Sequence, residues 1–531
     1  MSRVARFLIA LVATFVAFPA LTASAHAVLD NSVPASGATL AESPPQIVLD
    51  FDERVETAVG FIKLFSSAGT RIPLPAISRD AADSSIVRVD VPTLGDDTYV
   101  AAYRVVSSDG HPVDGAITFQ VGEGKRVDVT RVVANALKSN STNGAVSDAM
   151  RAARLVGYLA LALLLAAIFF VFGGSITEAL RPTIGRVAAI ASLVLAMSAL
   201  ALIGLQAAAV SGGGIGSAFS SSNFGDILGT RTGHALAVRG VAALAVGLVW
   251  LIASKSALGR FAGVFAFVIL PLTFGFAGHP GAVSPAGPTL VASLIHVAGV
   301  STWFGGLLLL VAVPGLRVET TVKWFSQRAA VIIGAVVVTG VVQSLLVLED
   351  LGSITDITYG KTLIGKVVLV GAMLLSAAVV RRRFLDSGVG NLRSVLVVEA
   401  AIGLLVLAVT SGLVAETPRA VSSLAPFSTA LVQGETIVNV SIAPARVGAV
   451  EIHIIVTTPG GSLEAMASAR ARLSLASRGV PPIQIETSSV GPNHFVATTA
   501  IPYPGDWKLD VILTDRNDRE ILFTTTAPVR S

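Results

Sequence analysis

A histidine directly after Ala23-Ser24-Ala25 carries the first chemistry that this sequence offers. The residues before it read as a basic start with Arg3 and Arg6, an apolar run from Phe7 to Leu21 and an A-x-A cleavage site. That is the pattern of a secretory signal over residues 1–25. Cleavage after Ala25 leaves a free amino group on the same residue as the His26 imidazole, and the two nitrogens can chelate one metal ion. Downstream, Ser107-Ser108-Asp109-Gly110-His111-Pro112 supplies a carboxylate and a second imidazole. In an extended segment Asp109 and His111, at i and i+2, point the same way. The plain alternative is an ordinary Asp-Gly turn. Amine, imidazole, carboxylate and imidazole form a nitrogen-rich set suited to Cu(II). Asp109 either ligates the ion or holds a ring N–H of a ligating histidine.

The elements that must position these groups follow from composition. The 531 residues are 53% hydrophobic and only 14% charged, with a mean hydropathy of +0.75, which points to the membrane. The net charge of +4 reads as membrane topology and excludes nothing but a strongly basic nucleic-acid binder. There is no cysteine, so neither a disulfide framework nor a thiolate metal site is available. Residues 26–122 alternate apolar and polar side chains in short stretches, Gln46–Phe51, Gly60–Phe65, Ile86–Val91, Thr98–Val105 and Ala116–Val121, and predict a β-barrel or sandwich. Residues 123–150 read as a polar linker. Residues 416–531 predict a second extracytoplasmic β-sandwich.

Between residues 151 and 415 lie apolar runs long enough to cross a bilayer at about 20 residues each. They are 153–174, 184–210, 235–253, 259–277, 289–313, 327–348, 361–380 and 394–414, an eight-helix bundle. Arginine and lysine collect in the loops after odd-numbered spans, among them Arg181, Lys255, Arg317 and Arg381-Arg382-Arg383. The loops Ser211–Gly229, Pro280–Pro288 and Glu349–Tyr359 carry none. The positive-inside rule then puts both termini outside the inner membrane, with Arg151 and Arg154 at the outer end of span one as the exception. On this topology His234 and His279 lie at the outer ends of spans three and four, and His296 lies about 10 Å into span five. Ionisable groups inside a membrane are functional candidates by default; a hydrogen bond to a neighbouring helix is the alternative for a neutral histidine. His279 and His296 are read as metal-handling residues, and His234 as interfacial. Trp303 lies one face with His296, and Gly305-Gly306 favours close helix packing. Lys366 and Glu399 are candidates for a buried pair, with snorkelling an equal alternative for Lys366. Met197 and Met373 read as packing residues, and His453 and His494 as ordinary residues of the tail domain. No nucleotide-binding loop or hydrolase motif is present, which argues against an ATP-driven pump and an enzyme.

The N-terminal domain resembles CopC, the periplasmic copper-binding β-barrel. The matching text is His26-Ala27-Val28-Leu29, Ser32-Val33-Pro34-Ala35-Ser36-Gly37, Val48-Leu49-Asp50-Phe51 and Tyr103 through Val113. The membrane part resembles CopD through Gly278-His279, His296, Trp303-Phe304-Gly305-Gly306 and Tyr359-Gly360-Lys361. The tail is similar to YtkA/FixH-like domains through Pro504-Gly505-Asp506-Trp507. The CopC resemblance implies a Cu(II) site of the N-terminal amine, His26, Asp109 and His111. Residues 26–149 contain no methionine, so the Met-rich Cu(I) loop of some members is missing. The combined resemblance implies Cu(II) capture outside and copper transport, expected to be import, with the lipid bilayer and other periplasmic copper proteins as partners. A chaperone that loads an extracytoplasmic cuproenzyme and a membrane metal reductase are the alternatives.

Overall fold

The computed structural model describes residues 27–529 except 28, 35–37, 52, 80–82, 108–109, 111, 123–126, 128, 141, 174–175, 283–285, 348–353, 355–357, 388–391, 415–426, 434–435, 444, 446, 458–465 and 492. Two strand layers make the N-terminal domain, antiparallel throughout except where β2 (Ala38–Leu40) runs parallel to β9 (Pro112–Val121). β1 (Leu29–Val33), β3 (Gln46–Phe51), β6 (Ser78–Arg79) and β7 (Ile86–Asp90) form one sheet in the order β1-β3-β7-β6. β2 (Ala38–Leu40), β4 (Val55–Phe65), β5 (Arg71–Ile72), β8 (Asp97–Ser107) and β9 (Pro112–Val121) form the other, in the order β2-β9-β8-β4-β5. Strict alternation builds the core between them. In β3 the side chains of Ile47, Leu49 and Phe51 are buried while Gln46, Val48 and Asp50 are half-buried. β8 departs from alternation and is buried on both faces from Tyr99 to Ser107, because its outer face is covered by other elements.

One cover is a helix over Thr130–Asn140, packed on β8 and β9. The segment 123–150 therefore departs from a featureless polar linker. Val129 and Ala136 are buried from it, a spacing that matches two turns of one helix face.

Among the described residues, eight helices are long and apolar enough to cross a membrane. They are Gly144–Phe172, Arg181–Ser211, Arg231–Ala253, Ala257–Phe276, Ala286–Ala312, Glu319–Val347, Thr358–Ser387 and Leu392–Leu413, spans one to eight below. Several extend past their apolar windows under side-chain caps. Asn143 accepts from the Ala145 N–H at 2.9 Å and starts span one at Gly144. Thr230 accepts from Gly233 and starts span three. Span one is the central helix, packed on spans two, four, five and eight. Its Leu164, Leu165, Ala166 and Phe170 are fully buried, with Phe170 against Trp324 and Phe325 of span six. Large apolar side chains also face outward, such as Val241 at 70% exposure and Phe261 at 68%. Apolar residues on both faces mark a bundle made for lipid.

The tail is a second two-layer β-sandwich. One sheet has the order β10-β11-β12-β16-β15, from Phe427–Gln433, Thr436–Ala443, Gly448–Thr457, His494–Ile501 and Ser488–Gly491. The other has the order β14-β13-β17-β18, from Val480–Glu486, Ser468–Leu475, Gly505–Thr514 and Glu520–Val529. Trp507, Leu509, Val511, Ile452 and Ile454 fill the space between them.

Candidate functional site

The turn between β8 and β9 carries two of the ligand candidates. The Gly110 N–H donates to the Ser107 carbonyl at 2.9 Å, and Gly110 has φ +88°. At Gly110 the backbone lies in the left-handed region, and glycine is the residue that this conformation favours. Asp109 and His111 flank Gly110 but, like His26, lie outside the described residues. Ala27, next to His26, is buried in the core that also holds Val105, with Val113 packed against it.

This turn is seated on the membrane domain. Gln206, near the end of span two, donates from Nε2 to the Gly110 carbonyl at 2.5 Å. Gly110 also lies against Thr232 at the start of span three, where an added Cβ would come within 2.3 Å of Thr232 Oγ1. Arg104 of β8 is fully buried beneath it. Its Nη1 donates to both Asp114 carboxylate oxygens at 3.1 Å, and its Nη2 donates to Thr142 Oγ1 and to the Ala209 carbonyl of span two, each at 2.7 Å. Burial pushes the Asp114 carboxyl above the usual carboxylate range, opposed by the Arg104 charge. An apolar cluster closes the seam: Val106 of β8, Val146 and Met150 of span one, Ala207 and Val210 of span two, and Leu236 of span three.

From the seated turn the contacts continue along the rim of the bundle. Arg231, next to Thr232, donates from Nη1 to the Gly281 carbonyl and from Nη2 to the Gly278 carbonyl, the latter at 3.4 Å. Thr289 of span five donates to the Pro280 carbonyl at 2.6 Å. These bonds hold the short helix His279–Ala282, which carries His279 between spans four and five. The His279 side chain lies outside the described residues. His296 sits ten positions past Ala286 in span five, roughly 15 Å along the helix from its start. Its Nδ1 faces the Val336 carbonyl at 3.0 Å and Thr339 Oγ1 at 3.2 Å, both on span six. A carbonyl only accepts, so Nδ1 carries the proton and the Nε2 of the neutral ring keeps a lone pair. A ligating histidine is commonly oriented in this way, and so is a histidine that merely ties two helices together.

Other candidates fall apart or into the core. His234 is exposed. Met373 is 4% exposed in the bundle core, and Met197 is 56% exposed on its outside. Among the described residues no ion pair joins Lys366 to Glu399, and none of them forms a group of three or more histidines and carboxylates able to hold a metal. Sequence reasoning missed Arg239 in span three. It is 4% exposed, bonds Thr273 Oγ1 at 3.0 Å and the Thr273 carbonyl at 3.1 Å, and lies 3.5 Å over the Phe274 ring. A lone arginine in the apolar run was the signal for it.

The tail holds a correction. His453 and His494 are 41 residues apart in sequence, yet Nδ1 of His453 lies 3.0 Å from Nε2 of His494. Glu451 Oε2 lies 3.5 Å from His453 Nε2. Desolvation and the neighbouring His453 hold the His494 imidazole below its usual range. β12 and β16 pair Ile455 with His494 and His453 with Val496, which puts both rings diagonally on the outer face of one sheet.

Comparison with known proteins agrees with this architecture. The CopC domain family matches residues 29–122, the N-terminal domain family of copper resistance protein D-like proteins matches 146–287, and the copper resistance protein D family matches 319–413. Copper transport protein CutJ of Bacillus subtilis (strain 168) is 25% identical over 547 residues, covering 96% of this chain and 98% of that protein. Copper resistance protein C of Pseudomonas syringae pv. tomato is 34% identical over 19% of this chain and 82% of its own length. The crystal structure of CopC from Methylosinus trichosporium OB3b is 32% identical, covers 18% of this chain and 93% of that chain, and has a TM-score of 0.18. With a CopC domain at its front and both parts of a CopD domain in its membrane region, this chain belongs to the copper transport and resistance family that fuses CopC to CopD.

Proposed function

We propose that the chain captures Cu(II) outside the inner membrane and passes copper inward through its bundle. The capture ligands are the amine and imidazole of His26 with Asp109 and His111, after removal of residues 1–25. His279 at the rim and His296 within the bundle receive the ion in turn. The observation that carries this reading is the seat of Gly110 on Gln206 and Thr232. The turn flanked by two ligand candidates rests against the residue next to Arg231, which grips the His279 segment. The loops bearing Glu178 and Lys255, which pair at 2.8 Å, follow spans one and three at the opposite end, as an outward-facing N-terminal domain requires.

Copper uptake into proteoliposomes tests the route. His279→Ala is expected to cut uptake at least tenfold. His296→Asn keeps a donor near the Nδ1 position for the Val336 carbonyl and removes the Nε2 lone pair, so it is expected to leave folding intact and uptake lost. Uptake equal to wild type in both variants would overturn the assignment.

A further inference from the structure

We propose that His453 and His494 form a second copper site, in the tail domain, with Glu451 as the group that orients His453. The two facing nitrogens, Nδ1 of His453 and Nε2 of His494, are 3.0 Å apart. Imidazole nitrogens bind such metals at about 2.0–2.1 Å. Two bonds of that length spanning 3.0 Å enclose roughly 91–97° at the metal. This is the cis angle of a square plane and is narrower than a tetrahedral one, so the pair suits Cu(II) better than Zn(II). The rings meet at 33° with centroids 5.3 Å apart, so the two nitrogens point almost straight at each other, and each ring turns by roughly 41–44° for both lone pairs to meet one ion. Both rings are half-buried on the outer face of the sheet, which leaves the remaining coordination positions to water.

Proton accounting is self-contained. Without metal, one proton lies between the rings, on either nitrogen. With metal, both facing nitrogens must offer lone pairs. His453 then carries its proton on Nε2, which is the atom that faces Glu451 at 3.5 Å. A neutral pair thus binds the ion by moving the proton within the pair's rings, with none released. Carboxylate, histidine and metal in series are a recurrent arrangement that fixes the tautomer of the ligand. Glu451, at i−2 from His453 on β12, is held on the same face by the strand.

The test uses the full chain in detergent with Asp109→Ala and His111→Ala already in place. Its outcome is therefore separate from the fate of the capture route above. Cu(II) bound per chain after desalting, and the electron paramagnetic resonance spectrum, are compared with and without His453→Gln and His494→Gln. The added pair of substitutions is expected to remove about one copper per chain together with its nitrogen splitting. Glu451→Gln leaves both imidazoles present and is expected to weaken that copper about tenfold. An unchanged copper count and spectrum in the histidine variant shows a pair joined only by an N–H···N bond and overturns the proposal. Unchanged affinity in Glu451→Gln counts equally against it, and this second variant, at a side chain 59% exposed, leaves the fold intact.

Discussion

Arg104 makes the largest demand of any single residue at the junction. Its guanidinium is fully buried, shares its charge with Asp114 and donates to the Ala209 carbonyl of span two. Arg104→Met keeps the volume and strips the partner from a carboxylate whose side chain is only 28% exposed. Removing one half of such a pair typically costs about 3 kcal/mol or more. With the arginine gone, the Asp114 pKa rises further above its unfolded value. The folded state then binds that proton more tightly than the unfolded one, so stability falls as pH rises through the usual carboxylate range and returns on acidification. Thermal unfolding of the variant at pH 7 and pH 4.5 checks the sign: the deficit should shrink at the lower pH, and a pH-independent deficit would refute the pairing. Residue types and motifs at this scale were largely legible. Arg104 stands in the Tyr103–Val113 text that carries the CopC resemblance, and Asp109 and His111 are named by the same text. Its partners were not legible, because Thr142 and Ala209 lie 38 and 105 residues away and nothing local marks a carbonyl as an acceptor.

At the scale of elements, the bundle depends on a close approach between spans one and five. A Cβ at Gly305 would lie 1.9 Å from the Ala162 carbonyl oxygen, inside any permitted contact. Gly305→Val is expected to separate the two helices and destabilise the bundle by about 3 kcal/mol, with the effect read as a lower unfolding temperature in detergent. A variant as stable as wild type would mean that the spans do not touch there. The eight spans were visible because each apolar run exceeds what a water-soluble helix of that length would carry. Their ends were harder to place. Span one begins at Gly144 because Val146 and Met150, at i and i+4, turn toward Val106 while Asp148 stays exposed. That short amphipathic turn reads as polar linker until its partner is known. Among strands, Ser468–Leu475 alternates cleanly but carries Arg470 and Arg472 on its outward side, which disguised it. The His453 and His494 pair escaped because the register of β12 against β16 is a tertiary fact.

At the scale of the whole molecule, the junction between the first domain and the bundle is where function and architecture meet. Gly110→Val combines a strained positive φ with a side chain driven into Thr232, and should lift the turn off spans two and three. The expected result is Cu(II) binding within a few-fold of wild type and proteoliposome uptake reduced at least tenfold. Full uptake with the turn displaced would show that seating is irrelevant to transport. The same seam has a kinetic meaning. A carrier that finds its acceptor by diffusion delivers at a rate set by how many carriers are present. On the route proposed above, the Val106 cluster, Arg104 and Gln206 would hold the delivering turn in place. On that route the acceptor would meet one donor at a fixed local concentration, and the step would be intramolecular. A chain built this way works at the same pace whether the membrane holds a few copies or many, which suits a metal that a cell can never leave free in quantity.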